Sequence, residues 1–237
     1  MKLKSHQKEA DFSYTFGAYP TLELFKYRPD SIKYVYFSSK GNRNKGLDKI
    51  KEICKKNLVE CRQDDRLVEK LSQSENAYVA AVFDRYKTEI NKNNNHLVLV
   101  GPRDSGNLGT IIRSMVAFGF KDLAIIRPAV DIYHPKTIRA SMGEIFQVNF
   151  EYFDCFEDYR LKFGRNFYPM MTKGKHSFEN TKLIPPYSII FGSESAGLDE
   201  EFLKIGESLR IFQSNQVDSL NLATAVGIVL HKTGSEG

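Results

Sequence analysis

Ile205-Gly-Glu-Ser-Leu-Arg-Ile-Phe-Gln-Ser-Asn-Gln-Val-Asp-Ser-Leu-Asn-Leu-Ala-Thr-Ala-Val-Gly-Ile-Val-Leu-His231 is the stretch on which the fold turns. From Ser219 to His231 nothing carries a fixed charge, so on a 3.6-residue period apolar side chains fall on every face, the pattern of a buried helix. Its first turn holds Ser219 and Asn221, and one side carries Ala223, Thr224 and Gly227, small enough for another backbone to come close. Asp218 or Ser219 serves as an N-cap in the plain reading. Polar groups at a helix N-terminus beside a loop also form a place for an electron-rich ligand. The two roles are compatible.

Upstream, two further segments share the same design of an apolar strand running into a polar, glycine-containing turn. Leu97–Val100 is a continuous apolar run of the kind found in parallel strands covered on both faces. It leads into Gly101-Pro-Arg-Asp-Ser-Gly-Asn-Leu-Gly-Thr110 and a helix over Leu108–Phe118. On that helix Leu108, Ile111, Ile112, Met115 and Phe118 cluster on one side, and Arg113 lies nearly opposite with Gly109 and Ala117 as small neighbours. Asn107 is placed to cap it. The strand entered from Pro185 ends in Gly192-Ser-Glu-Ser-Ala-Gly-Leu198. Strands over Leu123–Ile126, Gln147–Phe153 and Asn166–Thr172, separated by helices, predict a mostly parallel sheet, whose ligands gather at the carboxyl ends of its strands.

The first ninety residues form a second α/β pattern, with helices over Pro20–Tyr27, Gly46–Asn57 and Arg66–Ser72 and strands over Ile32–Phe37 and Tyr78–Phe83. Asp84–His96 is polar, Asn-rich and aperiodic, which places a boundary there, giving domains over 1–92 and 95–237. In the first domain the loop Ser38–Gly46, carrying Lys40, Arg43 and Lys45, reads as a solvated face or as a phosphate-contacting patch.

Composition narrows the classes. The 237 residues are 41% hydrophobic, enough for one large or two small cores, and 34 Lys+Arg against 29 Asp+Glu leave a net charge of +5 that permits a polyanionic partner without demanding one. No apolar run reaches about 18 residues, and Met1–Ala10 lacks the apolar centre of a signal peptide, so a cytoplasmic protein without a membrane span is expected. Three cysteines and five histidines show no metal-ligand spacing, and no metal is expected. A dinucleotide fingerprint is only a fragment at Gly106-Asn-Leu-Gly109. Ser193-Glu-Ser-Ala-Gly197 lacks the first glycine of a hydrolase nucleophile elbow, and too little chain follows for the acid and histidine strands.

Together, Asp104-Ser-Gly-Asn-Leu-Gly-Thr-Ile-Ile-Arg113 with Ala117-Phe-Gly119, Ile190-Phe-Gly-Ser-Glu-Ser-Ala-Gly-Leu198 and Val217-Asp-Ser-Leu-Asn-Leu-Ala-Thr-Ala225 resemble the three motifs of the SpoU (TrmH-type) RNA 2′-O-ribose methyltransferases of the SPOUT superfamily. Arg139-Ala-Ser-Met-Gly143 resembles the segment between the first two, and the first ninety residues are similar to the ribosomal-protein-like RNA-binding domain often placed ahead of this catalytic domain. Two positions differ from the family pattern: Ile211-Phe-Gln213 stands where Ile-Pro-Met is common, and Glu144 where a small residue is usual.

The resemblance implies an α/β fold: a small α/β RNA-binding domain, then a parallel sheet whose C-terminal segment is threaded into a deep trefoil knot, with two chains pairing through their knots. It implies S-adenosylmethionine as methyl donor, held by backbone groups at Gly192, Ile211 and Leu220 with Thr172. It implies Asn107, Arg113, Glu194, Ser219 and Asn221 as catalytic residues, and RNA as substrate, ribosomal RNA ahead of transfer RNA, with Lys40, Arg43, Lys45 and Arg139 as contacts. Glu194 is expected to order its loop by hydrogen bonding rather than to act as a base. A non-catalytic RNA-binding protein on the same fold is the alternative, against which the presence of all five catalytic candidates argues.

Overall fold

Residues 10–41, 44–72, 77–214 and 216–234 are described by the computed structural model, and Arg43 lies outside them. The chain divides into two packing units, Met1–Tyr86 with Asp131–Gln147, and Lys87–Val130 with Val148–Gly237.

In chain order the first unit begins with β1 (Phe12–Tyr14), α1 (Ala18–Tyr27), β2 (Ile32–Phe37), α2 (Lys45–Lys56), β3 (Glu60–Gln63), α3 (Asp65–Ser72) and β4 (Val79–Asp84). Its sheet has the order β1-β4-β2-β3, with β2 and β3 parallel and the other pairs antiparallel. The helix expected over Gly46–Asn57 starts at Lys45 because the Asn44 side chain accepts from Gly46 N at 2.9 Å, satisfying one of the helix's open N–H groups. It buries Leu47, Ile50 and Cys54, the apolar stripe seen in the sequence. Neither β1 nor β3 was expected. All four residues of β3 are exposed, so it has no alternating pattern to read and exists as a strand through its pairing with β2.

The second unit contributes β5 (His96–Val100), α4 (Ser105–Ala117) and β6 (Asp122–Ile126); the chain then makes α5 (Pro135–Ala140) within the first unit, and returns through β7 (Asn149–Phe153), α6 (Phe156–Lys162), β8 (Asn166–Pro169), β9 (His176–Ser177), β10 (Tyr187–Phe191), β11 (Leu209–Arg210) and α7 (Leu222–Gly234). The sheet order is β7-β6-β5-β10-β8, parallel throughout. Being apolar on both faces, its strands bury Val98, Ala124 and Ile190 against Tyr159, Phe163 and Phe202 on one side, with Leu97, Leu99, Leu123 and Ile189 equally buried on the other.

Asp131–Gln147, assigned by the sequence to the second domain, packs with the first unit instead. Its aromatic side chains find their partners there. The Phe146 ring meets the edge of Phe83 at 5.3 Å, the Tyr133 hydroxyl donates to Tyr86 O at 2.6 Å, and Asp131 pairs with Arg85 at 2.8 Å. Gly143 has φ +88°, and a Cβ on it would lie 2.8 Å from Pro20 Cα, so the Ser-Met-Gly turn needs glycine to approach α1.

Two expectations about the C-terminal helix change. It is not buried all round: α7 buries Leu222, Ala223, Val226, Val229 and Leu230, whereas Thr224 and His231 are exposed and Ile228 retains 42% of its surface. The exposed positions fall on one stripe, so the helix has a solvent face made of apolar and neutral residues. Nor do Asp218 or Ser219 cap it. Asn221 does, its Oδ1 accepting from Ala223 N at 2.9 Å and Thr224 N at 3.3 Å. The helix packs on α4, where Gly234 comes so close that a Cβ would lie 2.8 Å from Phe118 O.

Candidate active site

The site is assembled by three turns of the second unit. β5 leaves the sheet at Val100 and turns through Gly101, at φ +66°, toward Asp104, whose side chain accepts from Asn107 N at 2.7 Å and caps α4. That corrects the expectation that Asn107 would cap: Asp104 does so, which frees the Asn107 side chain. β10 leaves at Phe191 and folds back tightly, Gly197 N donating to Ser193 O at 3.0 Å. A Cβ on Gly192 would sit 1.9 Å from Gly197 C, so only glycine permits this loop. The third turn is the approach to α7.

One chain of side chains ties the three together. Glu194 accepts from Arg103 N at 3.0 Å, Asp104 N at 3.1 Å and Asn107 Nδ2 at 3.2 Å. Asn107 Oδ1 in turn accepts from Asn221 Nδ2 at 3.2 Å, while Asn221 caps α7. Partial burial of Glu194 works to raise its pKa, but the backbone amides of its own loop, Arg103 and Asp104 and the Asn107 amide outweigh it, leaving the carboxyl below its ordinary value. A carboxylate so engaged holds turns together and is a poor proton acceptor at neutral pH.

Beside this chain lies a cavity of about 500 Å³, whose wall includes Thr172, Gly192, Glu194, Ile211, Ser219 and Leu220. All four residues expected to hold the cofactor therefore face one space. The segment supplying Thr172 is not the strand expected over Asn166–Thr172; β8 stops at Pro169, and Met170 bridges to Leu209. There the chain is threaded closely. A Cβ on Gly174 would lie 2.3 Å from Leu209 C, and one on Gly206, at φ +63°, 2.1 Å from Phe167 O. The strap from Ile211 onward is held by Phe212 N donating to Glu179 at 2.9 Å and by Gln213 Nε2 donating to Asp218 O at 3.2 Å.

Of the five expected catalytic residues, Glu194 and Ser219 line the cavity, and Asn107 and Asn221 join Glu194 through the chain of bonds. Arg113 is not among the lining residues: it is exposed on α4 and makes no hydrogen bond or ion pair among the described residues. The expected RNA contacts Lys40, Lys45 and Arg139 are exposed, and all belong to the first unit, Arg139 lying over the Phe16 ring at 5.0 Å. Sequence reasoning missed Gln213 as an anchor and Lys173 as a wall residue. Lys173 stands in the polar, glycine-containing turn Thr172-Lys-Gly174, directly after the strand expected to end at Thr172, and Gln213 opens the polar run before α7. No group of three His, Cys, Asp or Glu able to hold a metal ion occurs among the described residues, and no described helix is long and apolar enough to cross a membrane.

Comparison with known proteins places these features. The model of the SpoU rRNA methylase family matches residues 94–231. An uncharacterised tRNA/rRNA methyltransferase of Synechocystis sp. is 31% identical over 140 residues, covering 57% of this chain and 51% of its own. A putative tRNA (cytidine(34)-2′-O)-methyltransferase of Listeria innocua is 29% identical over 145 residues, 58% of this chain and 85% of its own. The chain thus spans about half the length of the first of these relatives. The fold is that of the S-adenosylmethionine-bound rRNA methyltransferase from Sinorhizobium meliloti, with a TM-score of 0.79 at 21% identity over 95% of this chain and 88% of that one.

Proposed function

Because the chain belongs to the SpoU rRNA methylase family, we propose that it transfers a methyl group from S-adenosylmethionine to a ribose 2′-hydroxyl of RNA. The observation that carries this proposal is the convergence of three turns, tied by Glu194, Asn107 and Asn221, beside one cavity.

The cavity suits the cofactor. Its volume of about 500 Å³ lies within the roughly 300–1,000 Å³ of small-molecule sites. Its wall offers apolar surface at Met170, Leu203 and Leu222 beside the backbone of turns that no side chain could enter at Gly192. When bound, S-adenosylmethionine supplies an electrophilic methyl carbon on a sulfonium. Gly192, Ile211 and Leu220, with Thr172, are proposed to hold it. Ser219 and Asn221, at the start of α7, are proposed to position the ribose, with Asn107 and Glu194 fixing that start.

Arg113 is proposed to act on the substrate rather than on the cofactor. A guanidinium keeps its proton and only donates hydrogen bonds. Its role is to bind a phosphate next to the target ribose or to stabilise the alkoxide that develops as the hydroxyl reacts. Its exposure and lack of partners among the described residues leave it free for either.

The close passages at Gly174 and Gly206 support a C-terminal segment threaded as a knot, and the solvent-facing stripe of α7 that exposes Ile228 between Thr224 and His231 supports pairing of two chains there. Lys40, Lys45 and Arg139 support RNA contact by the first unit, as a small α/β RNA-binding domain in a cytoplasmic enzyme. Relatives named for tRNA and for both RNA classes fit equally well. We place ribosomal RNA first because a separate RNA-binding unit suits a large structured substrate. Mapping of ribose methylation in total RNA from cells with and without the protein tests this directly. One missing 2′-O-methyl in ribosomal RNA is expected; loss confined to transfer RNA would reassign the substrate, and an unchanged map would refute the activity.

A further inference from the structure

The cavity wall carries four carboxylates, Glu194, Asp199, Glu200 and Asp218, and among the described residues a single base, Lys173. Glu194 is spent on backbone amides, as described above. Lys173 Nζ stands 3.4 Å from Glu200 Oε1, with the two side chains 77% and 82% exposed. An exposed pair of this kind contributes little to stability and exchanges partners cheaply. Yet its base is rigid on the Lys173 side: Thr172 belongs to the same wall, and Gly174 is pressed against the Leu209 backbone and donates its N–H to Met171 O at 2.9 Å. The structure thus presents one cation and one anion, side by side and weakly engaged, on the rim of a cavity whose proposed ligand ends in an amino acid.

We propose that Lys173 and Glu200 form the clamp for the amino-acid end of the cofactor, Lys173 Nζ donating to its α-carboxylate and the Glu200 carboxylate accepting from its α-ammonium. Each side chain then trades the other for an opposite charge on the ligand, so the pair opens without leaving an unpaired ion. Neither side chain belongs to the hydrogen-bond chain of Glu194, Asn107 and Asn221, which is proposed to serve the reacting end. The clamp therefore adds binding strength without taking part in catalysis. Its existence rests on the cofactor assignment made above.

Calorimetry on the intact protein with two probes separates the clamp from that assignment. S-adenosylhomocysteine carries the amino-acid end; 5′-methylthioadenosine lacks it and keeps the nucleoside and sulfur. Lys173→Gln and Glu200→Gln are each expected to weaken S-adenosylhomocysteine by at least about tenfold, the worth of a charge-assisted hydrogen bond, while 5′-methylthioadenosine binds as it does to the parent. Because the second probe reports an intact cavity, a folding defect cannot imitate this split. Equal loss for both probes, or no loss for either, would overturn the clamp while leaving the cofactor assignment standing. Failure of the parent to bind either probe would overturn both.

Discussion

The two ends of the five-stranded sheet handle buried polarity in opposite ways. At the amino ends, His96, the first residue of β5, pairs with Ser188, the second residue of β10, and neither has exposed surface. His96 Nε2 lies 2.8 Å from Asn91 O and its Nδ1 2.8 Å from the Tyr159 hydroxyl, which lies 2.6 Å from Ser188 Oγ. Since a carbonyl only accepts, Nε2 carries the hydrogen and Nδ1 accepts from Tyr159. Nearby, fully buried Asp122 takes bonds from Asn91 N at 2.8 Å, Asn94 Nδ2 at 2.7 Å and Asn149 Nδ2 at 3.2 Å. The side chains of His96, Tyr159, Ser188 and Asp122 are each spent on the protein itself. At the carboxyl ends, Glu194, Asn107 and Asn221 also form a chain, but one that borders a cavity and leaves Arg113 and the Ser219 hydroxyl without protein partners among the described residues. A closed network stabilises the fold, and a half-open one beside a cavity keeps bonding capacity for a ligand.

The sharpest way to break this contrast is Arg113→Ala. If the open end works on RNA, removing the Arg113 guanidinium should lower turnover on the true RNA by about a hundredfold or more, in the range seen for lost transition-state donors. S-adenosylhomocysteine binding should stay at the parent's value, since Arg113 is no part of the cavity wall. Equal turnover of mutant and parent would remove Arg113 from the reaction.

The contrast also shows what the sequence could reveal. The strands of the sheet were legible because both faces are apolar, and the motif turns because polar residues crowd around glycines such as Gly192, where a backbone approach forbids a side chain. The closed network was not. His96 opens an apolar strand and reads as its first residue, and nothing local says that Tyr159, 63 residues on, supplies its partner. The return of Asp131–Gln147 to the first unit was hidden for the same reason, since the pairings of Tyr133 and Phe146 lie far away in sequence. The one-sided burial of α7 escaped because its exposed face is Thr224, Ile228 and His231 rather than charged. Periodicity registers charge, not exposure.

A middle-sized effect separates tying from proton transfer at Glu194. Arg103 N bonds one carboxylate oxygen, and Asp104 N and Asn107 Nδ2 bond the other, so Glu194→Gln keeps an acceptor for one of these two sets, whereas Glu194→Ala leaves both without one. The glutamine variant should therefore retain about tenfold more activity than the alanine variant, the worth of one or two retained hydrogen bonds. If both fall to the same low level, the carboxylate itself takes part in the chemistry.

The smallest effect tests the closed end and is read in stability rather than turnover. Burial, helped by the nearby Arg165 cation, drives the His96 pKa down to about 4, although its bond to Asn91 O and the carboxylates of Asp122 and Glu151 act to raise it. In the unfolded chain the imidazole returns to about 6.5, so between those values the unfolded state binds the extra proton. Stability due to His96 is then fully present above about pH 6.5 and is lost as the pH falls toward 4, with a slope below about 1.4 kcal/mol per pH unit. Denaturant unfolding at pH 7.0, 6.0 and 5.0 should show this slope in the parent and a shallower one in His96→Gln, which cannot titrate. Mutation at the open end, such as Arg113→Ala, should leave the slope untouched. Equal slopes for His96→Gln and the parent would mean that His96 takes up its proton as easily in the fold as out of it, and the amino-end network would no longer count as closed.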